Sequence, residues 1–274
     1  MFASLELCRR IEAAEANLTA AIAERARRAG ARDVVCERLG GGTAVFVRPD
    51  APMNKLIGAG LHGPLDADRL EALERTFAAR GAPLQIELAS LAPAEVAQQL
   101  GARGYRLVAF ENVLGCDPRT CATPPRPPVV TAEDALPLAP WLATMIDGFL
   151  AADGTGAGSA DAFARDELER ALREMASLPG LRRYAVRDGA TCVGGASMRL
   201  DGGIAQLCGA ATLPTHRRRG VQTALLAARL ADAAAYGSDT AVLTAQPGSR
   251  SQQNAQRQGF ALLYARAVLV KATG

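Results

Sequence analysis

Three consecutive arginines, Arg217, Arg218 and Arg219, stand directly before Gly220, and an apolar run follows from Val221 to Leu230. The preceding segment "IAQLCGAATL" (204–213) has the composition of a strand, so the arginines occupy a turn between a strand and a helix. The first turn of a helix leaves backbone N–H groups unpaired and carries partial positive charge, which favours an anion. Gly220 lets an anion approach the main chain closely, and the guanidinium groups add charge-assisted hydrogen bonds. The pattern predicts a phosphorylated ligand. No G-x-x-x-x-G-K-[ST] is found, and no G-x-G-x-x-G is read between a strand and a helix, so ATP and NAD are poorly supported.

Other classes of chemistry find less in the chain. Lys and Arg number 31 against 28 Asp and Glu, a net charge of +3 too weak and too scattered for a nucleic-acid surface. Six cysteines lie apart with no C-x-x-C pair, and only His62 and His216 could assist them, so no metal site is expected. Cys208 falls within the 204–213 strand and is read as structural. Glu6, Arg9 and Arg10 interrupt the N-terminal segment where a signal peptide needs an apolar core, and no stretch is long and apolar enough to span a bilayer. The expectation is a cytoplasmic protein with free thiols and no membrane partner.

The elements that must position the turn follow from periodicity. Leu7, Ile11, Ala14, Leu18 and Ile22 trace one face of an N-terminal helix that Gly30 can end. The five prolines of "DPRTCATPPRPP" (117–128) predict an extended interdomain linker. The two sides of it repeat a pattern: "ARGYRLVAFENVL" (102–114) aligns with "RQGFALLYARAVL" (257–269), "PLQIELA" (83–89) with "TAVLTA" (240–245), and the helix at 68–82 with that at 223–238. Two copies suit a duplicated domain better than a solenoid. In the second half, strands are expected near 182–187, 190–199, 204–213, 240–245 and 261–270, and helices near 133–150, 162–178, 221–236 and 249–258.

With these elements in order, Arg217-Arg218-Arg219-Gly220-Val221-Gln222 resembles the [QR]-x-x-G-x-[GA] signature of the GCN5-related N-acetyltransferase (GNAT) family, departing only at Gln222. The resemblance covers about 129 to 271. It implies an α+β fold of two tandem acyl-CoA N-acyltransferase units with mixed central sheets: residues 1–116 a degenerate unit, 117–128 a linker, and 129–274 the coenzyme-binding unit. In the first half "NKLIGAGLHGPLDADRL" takes the place of the turn, with Pro64 and Asp66 where arginine and glycine stand in the second, so that half is expected to bind no coenzyme.

The resemblance implies acetyl-CoA as cosubstrate, with no metal. Its pyrophosphate would lie on the N–H groups of Arg218 to Thr223, beside Arg217, Arg219, Gly220, Val221 and Gln222, and its pantetheine arm along Thr212 and Leu213. Direct acetyl transfer to the primary amine of a small molecule or a protein then needs a proton acceptor and oxyanion donors. The tyrosine acid usual in the family falls at Ala255 here. Ser251, Asn254 and Tyr264 are candidates in its place, and Asn254 also counts with the coenzyme contacts; the first two equally suit helix caps and Tyr264 a core position. Glu111, in "AFENVLG" (109–115), and Asp147 or Asp153, beside the glycine-rich loop 151–161, are candidate proton acceptors or plain surface charges, and that loop suits a lid over the acceptor or an inert connection. The rival expectations are a noncatalytic acyl-CoA-binding regulatory module and an interaction protein holding an acidic partner; monomer and homodimer are both open.

Overall fold

The computed structural model describes residues 1–121, 130–132, 137–151 and 164–271. In chain order the elements are α1 (Leu5–Arg28), β1 (Val35–Leu39), β2 (Gly42–Phe46), β3 (Lys55–Ile57), α2 (Ala67–Ala78), β4 (Gln85–Ala89), α3 (Ala94–Ala102) and β5 (Tyr105–Cys116). There follow β6 (Val130–Ala132), α4 (Leu138–Leu150), α5 (Arg165–Ala176), β7 (Leu181–Asp188), β8 (Thr191–Asp201), β9 (Ile204–Gln206) and β10 (Ala210–Thr212). Then come α6 (Val221–Ala235), β11 (Thr240–Ala245), α7 (Arg250–Arg257) and β12 (Ala261–Lys271). Helices and strands of both orientations make this the α+β tandem architecture that the repeat implies.

Two compact units divide the chain. Among the described residues the first holds 2–113 and 263–271; the second holds 114–121, 130–132, 137–151 and 164–262. The linker expected at 117–128 lies outside the described residues from 122 onward, and so do Asp153 and all but the first residue of the loop 151–161.

In the first unit the strand order is β1-β2-β3-β4-β12. Gly40 and Gly41 have φ of 57° and 82°, the pair of left-handed residues that a tight hairpin turn needs, and they join β1 to β2, a hairpin that the sequence reading passed over. β3 and β4 run parallel, and β12 closes on β4 antiparallel with Val268 opposite Glu87. Helix α1 starts at Ser4, whose Oγ accepts from Leu7 N at 3.1 Å, and it packs on β1, β2 and β3. Its buried face carries Ile11, Ala14, Leu18 and Ile22 as expected, but turns Cys8 and Glu12 inward instead of Leu7. Burying each of the larger aliphatics contributes about 1.5–3 kcal/mol.

In the second unit β6, β7, β8 and β9 are successively antiparallel, and β9 runs parallel to β11. A Cβ on Gly194 would strike Val221 of α6 at 2.3 Å, and one on Gly195 would strike Met145 of α4 at 2.8 Å. Successive strand residues face opposite sides, so α6 covers one face of β8 and α4 the other. Leu225, Leu226, Leu230 and Val193 fill one core, and Trp141, Met145, Leu172 and Ala211 the other. Ala255 of α7 is buried in the first of these cores.

The strand expected at 204–213 is broken into β9 and β10, a correction to that reading. β9 pairs with both β8 and β11, whereas β10 pairs with β8 alone. The cause is local: Gly209 takes φ of 56° and the N–H of Ser197 is shared by Cys208 O and Gly209 O, which swings the chain off β11.

Candidate functional site

The turn between β10 and α6 begins with a short 3-10 helix at Pro214–His216. Arg217 is then extended, Arg218 adopts φ of 63°, and Gly220, the N-cap of α6, adopts φ of 78°. A left-handed arginine costs on the order of 1 kcal/mol, a strain that folds keep where function demands it. No side chain caps α6. Among the described residues the N–H groups of Arg218 through Thr223 have no acceptor, so this end of the helix presents converging donors and an uncompensated dipole. Arg218 and Arg219 are exposed and make no ion pair among the described residues, whereas Gln222 and Thr223 are half-buried.

The three arginines do different things. Arg217 donates from Nη2 to the carbonyls of Gly148 at 3.2 Å and Ala151 at 2.6 Å, so it braces the turn against the C-terminal end of α4. Gly148 makes that approach possible, because a Cβ there would stand 2.7 Å from Ala211 Cβ. The Arg218 and Arg219 side chains stay exposed.

Leu213 N donates to Val193 O and Leu213 O accepts from His216 N, so its main chain is already engaged. Alternation along the strand turns the N–H and C=O of Thr212 away from β8, toward the side on which β10 lacks a partner. The Thr212 hydroxyl is buried with no hydrogen-bond partner among the described residues.

One residue that the sequence reading missed holds this geometry. Arg229 of α6 is 2% exposed, and it donates from Nε to Leu225 O and from Nη1 to Ser197 O at 3.3 Å and Gly209 O at 3.4 Å. Burial pulls its pKa down to about 10. This buried cation ties α6 to the carbonyls of β8 and of the strand break, and the sequence signal for it was an arginine on the apolar face of a helix. Cys208, read as a strand residue, is half-buried in the break itself, and its carbonyl accepts from the Ser197 hydroxyl.

The catalytic candidates are not brought to one place. Ser251 is exposed on α7 and is not its cap; Ser249 is, accepting from Gln252 N. Asn254 accepts from Arg257 Nη1 at 3.4 Å. Asp147 is held in a half-exposed ion pair with Arg165 at 2.7 Å. Glu111 and Tyr264 belong to the first unit and meet a buried charge cluster there. Arg266, 1% exposed, donates from Nε to Glu12 Oε1 at 2.8 Å and from Nη1 to Glu87 Oε2 at 3.4 Å, and Glu111 Oε2 lies 3.6 Å from the same Nη1. Lys55 donates to Glu87 at 2.6 Å, and the Tyr264 hydroxyl donates to Glu12 Oε1 at 2.7 Å.

Three carboxylates therefore share two cations. Burial works against the charge of Glu87, but Lys55 and Arg266 hold its carboxyl below the usual range. Burial, with Glu87 and Glu15 adding repulsion, pushes Glu111 up to about 7 although its side chain is 28% exposed. Burial and the Glu12 charge drive the Tyr264 phenol far above its ordinary value, so it stays protonated.

The corresponding turn of the first unit also requires a correction. Because β3 ends at Ile57 and α2 begins at Ala67, the residues Gly58-Ala59-Gly60-Leu61-His62-Gly63 are a G-x-G-x-x-G between a strand and a helix, unseen while no strand was placed at 55–57. It is not built for a dinucleotide. Gly60 N donates to Gly40 O, Gly63 N donates to Gly60 O, and Asp66 caps α2 by accepting from Arg69 N at 2.9 Å. A carboxylate already occupies the place a phosphate would take.

Elsewhere in the second unit a cavity of about 530 Å³ is lined by Leu178, Pro179, Arg183, Leu200 and Tyr236, and no residue of the turn reaches it. Among the described residues no His, Cys, Asp and Glu side chains group to hold a metal ion, and no helix is long and apolar enough to cross a membrane.

Comparison with known proteins places this geometry. Residues 154–260 match the model of the Acetyltransferase (GNAT) family. A GCN5-related N-acetyltransferase from Kribbella flavida is similar over 94% of this chain and 96% of its own, with 20% identity and a TM-score of 0.64. A tandem GNAT protein from the clavulanic acid biosynthesis pathway is similar over 98% of this chain and 95% of its own, with 12% identity and a TM-score of 0.60. A functionally unknown conserved protein from Staphylococcus epidermidis covers 84% and is covered over 90%, with 10% identity and a TM-score of 0.58. No curated protein matches the chain. The fold is that of a tandem GNAT protein, and residues 154–260 match the GNAT acetyltransferase family, whose chemistry is acyl transfer.

Proposed function

We propose that the second unit binds acetyl-CoA at the turn between β10 and α6 and that the chain transfers the acetyl group directly to a primary amine of a small molecule or a protein. The observation that carries this reading is the uncapped N-terminus of α6, with Arg218 and Gly220 both left-handed and six N–H groups free of acceptors among the described residues. The pyrophosphate would accept from Arg218 through Thr223, where the departure at Gln222 leaves its N–H in place, and from the Arg218 and Arg219 side chains. The pantetheine amides would pair with Thr212, whose main chain faces away from β8, rather than with Leu213, whose groups are engaged. Arg217 acts by holding the turn.

Transfer needs the amine neutral and its surplus proton removed. Calorimetric titration with acetyl-CoA, with ATP and NAD as controls, tests the coenzyme, and release of free thiol over a panel of amines tests transfer. Binding of acetyl-CoA without thiol release from any amine would favour the second reading, a noncatalytic acyl-CoA-binding module, for which the specific observation is Ala255, buried in the core at the place of the family's tyrosine.

A further inference from the structure

Beyond acyl transfer, the second unit contains a thiol pair with the spacing C-x-x-x-x-C. Cys116 is the last residue of β5 and is 3% exposed; Cys121 packs partly buried against the same core. Their Sγ atoms are 2.6 Å apart, and Cys121 Sγ also donates to Asp117 O at 3.3 Å.

The intervening turn is already built to keep them together. The N–H and hydroxyl of Thr120 both donate to Asp117 O, at 3.1 and 3.0 Å. Arg119 donates from its main chain to Asp117 Oδ1 at 2.9 Å, and its guanidinium holds both carboxylate oxygens at 2.8 and 2.7 Å. Closing a disulfide here needs little rearrangement of the backbone, which is the usual obstacle to cross-linking two cysteines.

We propose that Cys116 and Cys121 form a reversible intramolecular disulfide, a redox modification site at the end of β5. The oxidant is a low-molecular-weight disulfide. The Cys121 thiolate, on the more exposed side, attacks one sulfur of it, and the other half leaves as a small thiolate. The Cys116 thiolate then displaces the second small thiol from the mixed disulfide. Two protein S–H bonds break and one S–S bond forms; the two protons and two electrons end on two small thiols. Burial raises the pKa of both thiols, so the exchange accelerates from neutral to alkaline pH.

The test uses the full chain, equilibrated at mildly alkaline pH with glutathione disulfide in excess over glutathione, then alkylated with N-ethylmaleimide and measured by intact mass and peptide mapping. The expected result is two fewer alkylated cysteines per chain, a cross-linked peptide joining Cys116 to Cys121, and recovery of both thiols with dithiothreitol. Cys121→Ser, at the half-buried position, should keep its near-ultraviolet circular dichroism and lose the cross-link, while Cys36→Ser should keep it. Alkylation of all six cysteines after equilibration, a cross-link mapping to any other pair, or an unchanged loss of two alkylation sites in Cys121→Ser would overturn the proposal.

Discussion

Helices α2 and α6 each follow a strand and a turn in their own unit, yet their N-termini are finished differently. At α2 the Asp66 carboxylate accepts from Arg69 N, and Asp68 adds a second negative charge within the first turn. At α6 the cap is Gly220, with no side chain to offer, and Arg218 and Arg219 add positive charge beside it. The same helix dipole is neutralised from within in one unit and left open to an outside anion in the other. On the proposed reading, a duplicated fold keeps its architecture in both copies while the cap residue decides which copy takes a ligand.

The sharpest way to break this contrast is to give α6 the residue of α2. Gly220→Asp places a carboxylate against the proposed pyrophosphate and also puts a side chain at φ of 78°. Acetyl-CoA affinity should fall about 100-fold or more, on the order of 3 kcal/mol, while circular dichroism stays that of the wild type. Calorimetry on the pair checks it, and unchanged affinity would remove the turn from the account.

Arg229→Met should come next, by removing the buried guanidinium that donates to the carbonyls of Ser197 and Gly209. We expect a stability loss of about 2 kcal/mol in urea unfolding and weaker coenzyme binding, because the strand break would no longer be braced. No equivalent effect is expected in the first unit.

Asp66→Ala removes the internal cap of α2 and should cost about 1 kcal/mol of stability with acetyl-CoA affinity unchanged. A change in affinity here would show that the two turns are not independent in function.

Glu111→Gln tests the buried charge cluster of the first unit. The folded carboxyl titrates near 7 against a lower unfolded value, so the folded state binds more protons between about pH 4.5 and 7. Stability from this group is present in acid and is lost as pH rises through 7. The amide variant should therefore be more stable than the wild type at pH 8, by on the order of 1 kcal/mol given the partial exposure of the side chain, and equal to it near pH 4.

The smallest effect is expected for Arg218→Gly, which relieves the left-handed arginine. Thermal unfolding should show a gain of about 0.5–1 kcal/mol, offset by a few-fold loss in coenzyme affinity as one guanidinium disappears.

What could be read before the structure divides by range of interaction. The turn at 214–223 was legible because its strand, charge run, glycine and helix are consecutive, and the α1 face was legible from its own periodicity. The assignment of Leu263 to Lys271 to the first unit was not, since it depends on pairings such as Val268 with Glu87, whose registers lie far apart in sequence. Tyr264 aligned well as a strand residue, but nothing local reveals that its hydroxyl meets Glu12 across 252 positions. Arg229 was hidden for the related reason that a buried cation looks, in sequence, like any exposed one. The Gly40-Gly41 hairpin was locally visible and was missed, and with it went β3 and the glycine pattern at 58–63.

The central claim is that one unit of the two takes the coenzyme, and its most direct test is the stoichiometry of acetyl-CoA binding to the intact chain by calorimetry. The account predicts a single site per chain, lost in Gly220→Asp and retained in Asp66→Ala. Two sites per chain, or a single site that survives Gly220→Asp, would contradict it.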